Sequence, residues 1–184
     1  MRKPTTLLVA VVALGGYLSV APALFARDED QALSDHDFIV KAATGNAMEA
    51  QLGQLARTHA RSDEVKKFAQ RLVRDHKRAN VSLGPIVKDK RVRLPDEMSR
   101  EDRQTYDKFL RLKGKAFDRE FIDHLVKDHE KDVALYEAQA REVKDRHLKD
   151  YINKTLPVIK EHLRTARKLQ DHDKGDREGR DEKR

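Results

Sequence analysis

Residues 115–142 read KAFDREFIDHLVKDHEKDVALYEAQARE. Alternating steps of four and three pick out Asp118, Ile122, Leu125 or Val126, His129, Val133, Tyr136 and Ala140. That spacing puts all of them on one face of an α-helix, whereas a half-buried strand would alternate every second residue. The face is apolar through most of its length and carries His129 near its middle. Gly114, just upstream, marks the break at which the helix begins.

Three other segments repeat the pattern. A first helix is predicted from Ser34 as N-cap, with Asp35 and Asp37 in the dipole-favoured first turn, to about His59. Its stripe is Phe38, Ala42, Gly45, Glu49, Leu52, Ala56 and His59. A second opens at Ser62, with Asp63 and Glu64 behind it, and reaches about Lys88; Gly84-Pro85 is a point where it could kink or stop. Val65, Ala69, Leu72, His76, Ala79 and Leu83 form its stripe. After a loop over 88–95, Ser99 and Asp102 resemble a capping box for a short helix ending near Leu112. The third long helix is the stretch quoted above. The fourth runs from near His147 to near Gln170 and presents Leu148, Ile152, Thr155, Ile159, His162, Ala166 and Leu169. Pro157 within it frees the carbonyl of Asn153, so a kink is expected there. Residues 171–184, almost wholly charged, read as a disordered tail.

Each stripe therefore holds one ionisable residue: Glu49, His76, His129 and His162. His76 and His129 each lie about fourteen residues into their helices, His162 about fifteen into its own, and Glu49 about ten before the end of the first. At ~1.5 Å per residue those depths agree to within about a turn. They coincide in space only if the second and third long helices run parallel, with the chain between them crossing the length of the bundle. A single long crossover is the connectivity of ferritin-like bundles. The expected fold is thus all-α: a ferritin-like four-helix bundle over 34–170 with a long crossover between its second and third long helices.

Ahead of it, Arg2-Lys3, an apolar run from Leu7 to Val20 and Ala21-Pro22-Ala23 have the layout of a secretory signal peptide, residues 1–26, with cleavage after Ala23 or Ala26. An uncleaved anchor is the other reading, but Gly15-Gly16, Pro22 and the shortness of the run weigh against it, and no transmembrane segment is expected in the mature protein. The expected location is periplasmic or secreted. Losing Arg2 and Lys3 lowers the formal charge from +7 to +5 over about 158 residues. Acids and bases alternate throughout, the pattern of solvated helix faces and not of a nucleic-acid stripe. With no cysteine there is no disulfide, thiolate metal site, c-type haem attachment or lipid anchor, and three methionines do not suit a thioether copper carrier.

Asp37-Phe38 with Asn46, Glu49 and Leu55-Ala56 resembles the first motif of a bacterial exported family, domain of unknown function 4142. Val65-Lys66-Lys67-Phe68-Ala69, Asp75-His76, Leu94-Pro95, Phe117-Asp118 leading to His129, and Leu156-Pro157 leading to His162-Leu163 continue the resemblance in order, over about 35–170. It implies an exported helical bundle of the ferritin-like group and supplies no activity. The chain departs from the pattern in its longer, more charged C-terminal tail, in the extra His124, and in Phe121 where a tyrosine is expected.

Two readings of the core cluster follow. In one, Glu49, His76, His129 and His162 ligate a single divalent metal (Zn, Fe, Mn or Cu), with Asp75 or Asp118 orienting a histidine ring from behind. In the other, the same residues form a buried hydrogen-bonded network, and the protein is a structural or interaction module of the cell envelope, free to associate into oligomers. Enzymatic chemistry has little support. No Glu-x-x-His pair of the di-iron kind occurs, since Val73, Val126 and Ile159 stand three residues before the histidines, and phosphate-binding loops and Ser or Cys nucleophile motifs are missing. His124 falls off the stripe beside Glu120 and Asp128 and reads as part of a surface ion-pair ladder. His36, His59, His147 and His172 fall near helix ends or in the tail.

Overall fold

The computed structural model describes residues 32–181, with side chains to Asp173. The predicted signal peptide and the last three residues of the predicted tail lie outside the described residues. Five helices follow one another: α1 (Asp35–His59), α2 (Asp63–Asp89), α3 (Arg100–Leu110), α4 (Gly114–Glu142) and α5 (Arg146–Asp181). The described residues contain no strand, only an isolated bridge between Ala60 and Gly114. No described helix is long and apolar enough to cross a membrane.

The helix starts are local chemistry. Ser34 Oγ accepts from the Asp37 N–H at 3.1 Å, Ser62 Oγ from Val65 at 3.4 Å and Ser99 Oγ from Asp102 at 3.0 Å. Each thereby satisfies a donor that the first turn leaves without an intrahelical partner. Gly114 begins α4 at φ +64°, in the left-handed region where a Cβ would be strained. α2 passes through Pro85 without ending. α5 likewise runs through Pro157 and past Gln170, where a disordered tail was expected, to Asp181.

α1 packs chiefly on α2, and α4 on α5. Gly53 brings the first pair close: a Cβ there would lie 2.8 Å from Val73 Cγ2 and 3.0 Å from the Ala69 carbonyl oxygen. Contacts at the two ends fix the relative directions. Asp118, in the first turns of α4, accepts from the backbone N–H of Arg61 at 3.0 Å and of Ser62 at 2.9 Å, so α4 starts where α2 starts. At the opposite end Lys90 pairs with Asp35 at 3.5 Å and Asp145 at 3.0 Å, while the Leu33 N–H donates to Gln139 Oε1 at 3.0 Å. The end of α2, the start of α1, the end of α4 and the start of α5 therefore meet. α2 and α4 run in the same direction, and residues 90–113, including α3, span the length between them.

Asp118 thus sits at the α1–α2 corner, away from the histidines, and the expectation that it orients one of them is corrected. Its carboxylate is consumed by two backbone donors that the corner would otherwise leave unpaired. Replacing Asp118 by alanine should lower stability by about 1 kcal/mol, read as a drop in Tm, and leave metal binding unchanged.

Two apolar clusters fill the interior. One holds Leu52, Phe68, Leu72, Phe109, Phe117, Phe121 and Leu125; the other holds Phe38, Ile39, Leu83, Tyr136, Leu148 and Ile152. Along α2, α4 and α5 the boundary between them falls at His76, His129 and His162. On α1 it lies between Ala43 and Met48, where Asn46 sits, with Glu49 just beyond, and all five polar residues are buried. A polar layer divides the core at mid-length, at the level that the helix offsets imply.

Candidate metal centre

α2 supplies His76, α4 His129 and α5 His162. Their ring centroids are 5.7 Å (His76–His129), 5.2 Å (His76–His162) and 5.4 Å (His129–His162) apart, nearly an equilateral triangle. One nitrogen of each ring lies within 4.8 Å of the chosen nitrogen of both others.

What each ring does with its other nitrogen decides the chemistry. His129 Nδ1 is 3.0 Å from the Leu125 carbonyl oxygen, which can only accept, so Nδ1 carries the proton and Nε2 presents a lone pair. His76 Nδ1 is 2.9 Å from Asn46 Oδ1. The Asn46 amide is oriented by its own Nδ2, which donates to Asn80 Oδ1 at 3.0 Å and to the Tyr151 hydroxyl at 3.1 Å, so its oxygen faces His76. His76 therefore donates from Nδ1 and bears its lone pair on Nε2, an atom with no hydrogen-bond partner. His162 Nε2 is 3.1 Å from Asp75 Oδ2; the carboxylate accepts, leaving the lone pair of the neutral ring on Nδ1. That Nδ1 is 3.4 Å from His129 Nε2. Three separate partners thus set three tautomers, and the lone-pair nitrogens of His129 and His162 face each other.

Burial keeps the rings neutral. It drives the His76 imidazole from 6.5 to about 3, with the nearby His162 adding to the effect. His129 also falls to about 3, through burial first and then its two histidine neighbours. Burial lowers His162 as well, against the pull of Asp75. Partial burial pushes the Asp75 carboxyl up, but the His162 hydrogen bond and the charges of His162, Arg74 and Arg71 outweigh it and hold Asp75 below its usual value. Asp75 therefore has the expected place behind a ring.

Glu49 does not join the histidines. It is equally buried, but its nearest potential co-ligands are His124 and Asp128 on another face of α4. The reason is angular: residues 124 and 128 share one side of α4, while Leu125 and His129, one position on, lie about 100° around the axis. His124, expected in a surface ladder, is half-buried, with its ring 5.4 Å from that of Phe109.

Asn46, Asn80 and Tyr151 were not assigned a role by periodicity. A partial signal was present, since Asn46 lies three residues before Glu49 and Asn80 four after His76, each within helical reach of a core polar residue. A groove of about 270 Å³ between α2 and α5, lined by Arg78, Ala79, Lys154 and Val158 among others, reaches both His76 and His162.

No curated protein and no solved structure matches the chain. The family model described as "Domain of unknown function (DUF4142)" matches residues 21–169, most of its length, and the chain belongs to that family.

Proposed function

We propose that this chain is an exported, ferritin-like four-helix bundle whose function is to bind one divalent transition-metal ion through His76, His129 and His162. The bundle assignment is supported by the shared direction of α2 and α4 and the connection over 90–113; export is supported by the basic, apolar and small-residue succession of the first 26 residues. The observation that carries the metal reading is the gathering of one ring nitrogen from each of three buried histidines within 4.8 Å, each ring having its tautomer set by a separate partner. Two imidazole nitrogens bound at ~2.0–2.1 Å to a tetrahedral ion lie about 3.4 Å apart, as His129 Nε2 and His162 Nδ1 do. An all-imidazole set suits Zn(II) or Cu(II) better than Mn(II). Asp75 behind His162 would raise that ligand's basicity. A fourth position would open toward the α2–α5 groove and admit water or a small ligand.

The competing reading is a hydrogen-bonded network in a non-catalytic envelope module. A doubly protonated His162 could bridge Asp75 and His129, but His76 Nε2 would still have no partner. A melting series on chelator-treated protein with Zn(II), Cu(II), Mn(II) and Fe(II) separates the two. Zn(II) or Cu(II) should stabilise the fold by about 2.7 kcal/mol at a hundredfold excess over Kd. The shift should vanish in His129→Ala and His162→Ala. A wild-type Tm that neither Zn(II) nor Cu(II) raises, or a shift that survives both substitutions, sinks the proposal.

A further inference from the structure

Glu49 is the core's least explained charge. It is 1% exposed, and neither carboxylate oxygen has a hydrogen-bond partner. Its close neighbours are acids: Asp128, and Asp132 one turn farther along α4. A carboxylate so placed has lost its water and gained like charges, an unfavourable arrangement unless something positive enters.

We propose that Glu49, Asp128 and His124 form a second divalent-cation site, distinct from the three-histidine centre and suited to a harder ion such as Mn(II) or Fe(II). One oxygen from each acid and one nitrogen of His124 all lie within 4.8 Å of one another. Two carboxylates match the charge of a divalent ion, and an oxygen-rich set with one imidazole selects Mn(II) or Fe(II) over the ions preferred by three imidazoles. α3 borders the cluster: Phe109, 1% exposed, packs edge-on to the His124 ring at 5.4 Å between centroids. Burial also lowers the affinity of His124 for a proton, leaving its lone pair available. A proton shared between Glu49 and Asp128 would relieve the repulsion too, but it gives no part to the imidazole at the third corner. The two sites divide the polar layer between them, one on the α2–α4–α5 side and one between α1 and α4.

The test is a Mn(II) titration of the chelator-treated full chain, followed by loss of the free-ion paramagnetic resonance signal. Wild type should take up one Mn(II) per chain, both with and without one equivalent of Zn(II) added first. His162→Ala, which alters only the three-histidine centre, should keep that Mn(II). Glu49→Gln and His124→Ala should each lose it while retaining the helical circular dichroism of wild type. If the buried Glu49→Gln fails to fold, half-buried His124→Ala decides. Absence of bound Mn(II) in wild type, or binding that survives either substitution in folded protein, overturns the second site. Loss in His162→Ala would also overturn it, because the ion would then belong to the histidine centre.

Discussion

Metal bound at the three histidines should stay bound as pH falls from 7 to 5. At pH 5 an imidazole titrating near 6.5 is about 30-fold more protonated than free, so three ordinary histidines would lose roughly 30,000-fold in apparent affinity. In this core His76 and His129 titrate at about 3 and stay neutral throughout that range. His162 is also lowered, so the whole loss should be less than about 30-fold. Ordinary imidazoles would instead let binding collapse as pH falls through about 6.5. Competition titrations with a pH-insensitive chelator at pH 7, 6 and 5 measure it; a drop of several thousandfold would show that the rings titrate as if exposed. The same shifts act on the metal-free fold with a definite sign. The unfolded chain protonates these histidines below 6.5 and the folded chain does not. The contribution of His76 and His129 to stability is therefore complete above 6.5 and is lost as pH falls toward 3, at about 1.4 kcal/mol per pH unit for each of the two rings, and the lowered His162 acts with the same sign.

Glu49 has the opposite sign, and its removal should strengthen the metal-free protein. Burial, then the charge and hydrogen-bonding demand of Asp128, then Asp132, raise its carboxyl well above 4.5. Asp132 itself is raised to about 7 by burial and Asp128. A raised carboxyl favours the fold fully below its unfolded pKa and loses that contribution as pH rises through its folded one. Glutamine has the same shape, no charge to desolvate, and an amide that can donate to Asp128. Chelator-treated Glu49→Gln should therefore exceed wild type in stability at pH 7. The gap should grow from pH 4.5 upward by about 1.4 kcal/mol per pH unit until the folded pKa is reached. Urea denaturation of both proteins at pH 5 and pH 7 reads it. A variant weaker than wild type at both values would mean that Glu49 has a donor partner in the fold. Saturating Mn(II) should reverse the order, because only wild type keeps the second site.

Much of this architecture is legible in one dimension because it is written in local chemistry. Ser34, Ser62 and Ser99 announce helix starts through a side chain that reaches three residues along the same chain. The four-three spacing of apolar residues defines which face of each helix turns inward, and a histidine on such a face at matching depth in three helices is buried as a consequence. The cluster of His76, His129 and His162, with Asp75 beside it, follows from that arithmetic.

Apart from the helix that continues past Gln170, the assignments that failed were those set by rotation about a helix axis or by contacts between distant segments. Depth along the axis follows from residue count, but a difference of one position turns a side chain by about 100°. That angle gave Glu49 to His124 and Asp128 instead of to the histidines, and it drew His124 from the expected surface ladder toward Phe109. Asp118 shares a stripe with His129, yet the open N–H groups of Arg61 and Ser62 claim it, and no periodicity records where another helix leaves donors unpaired. The tautomers that make three rings into one candidate site depend on Asn46, Asn80, Leu125 and Asp75, brought there by packing. By itself the sequence determined the helices, their inward faces and the depth of the polar layer, because these depend on neighbours a few residues away. Only the tertiary structure decided how that layer divides into two groups and which nitrogens bear lone pairs, because hydrogen-bond partners are chosen across helices, where direction counts as much as distance.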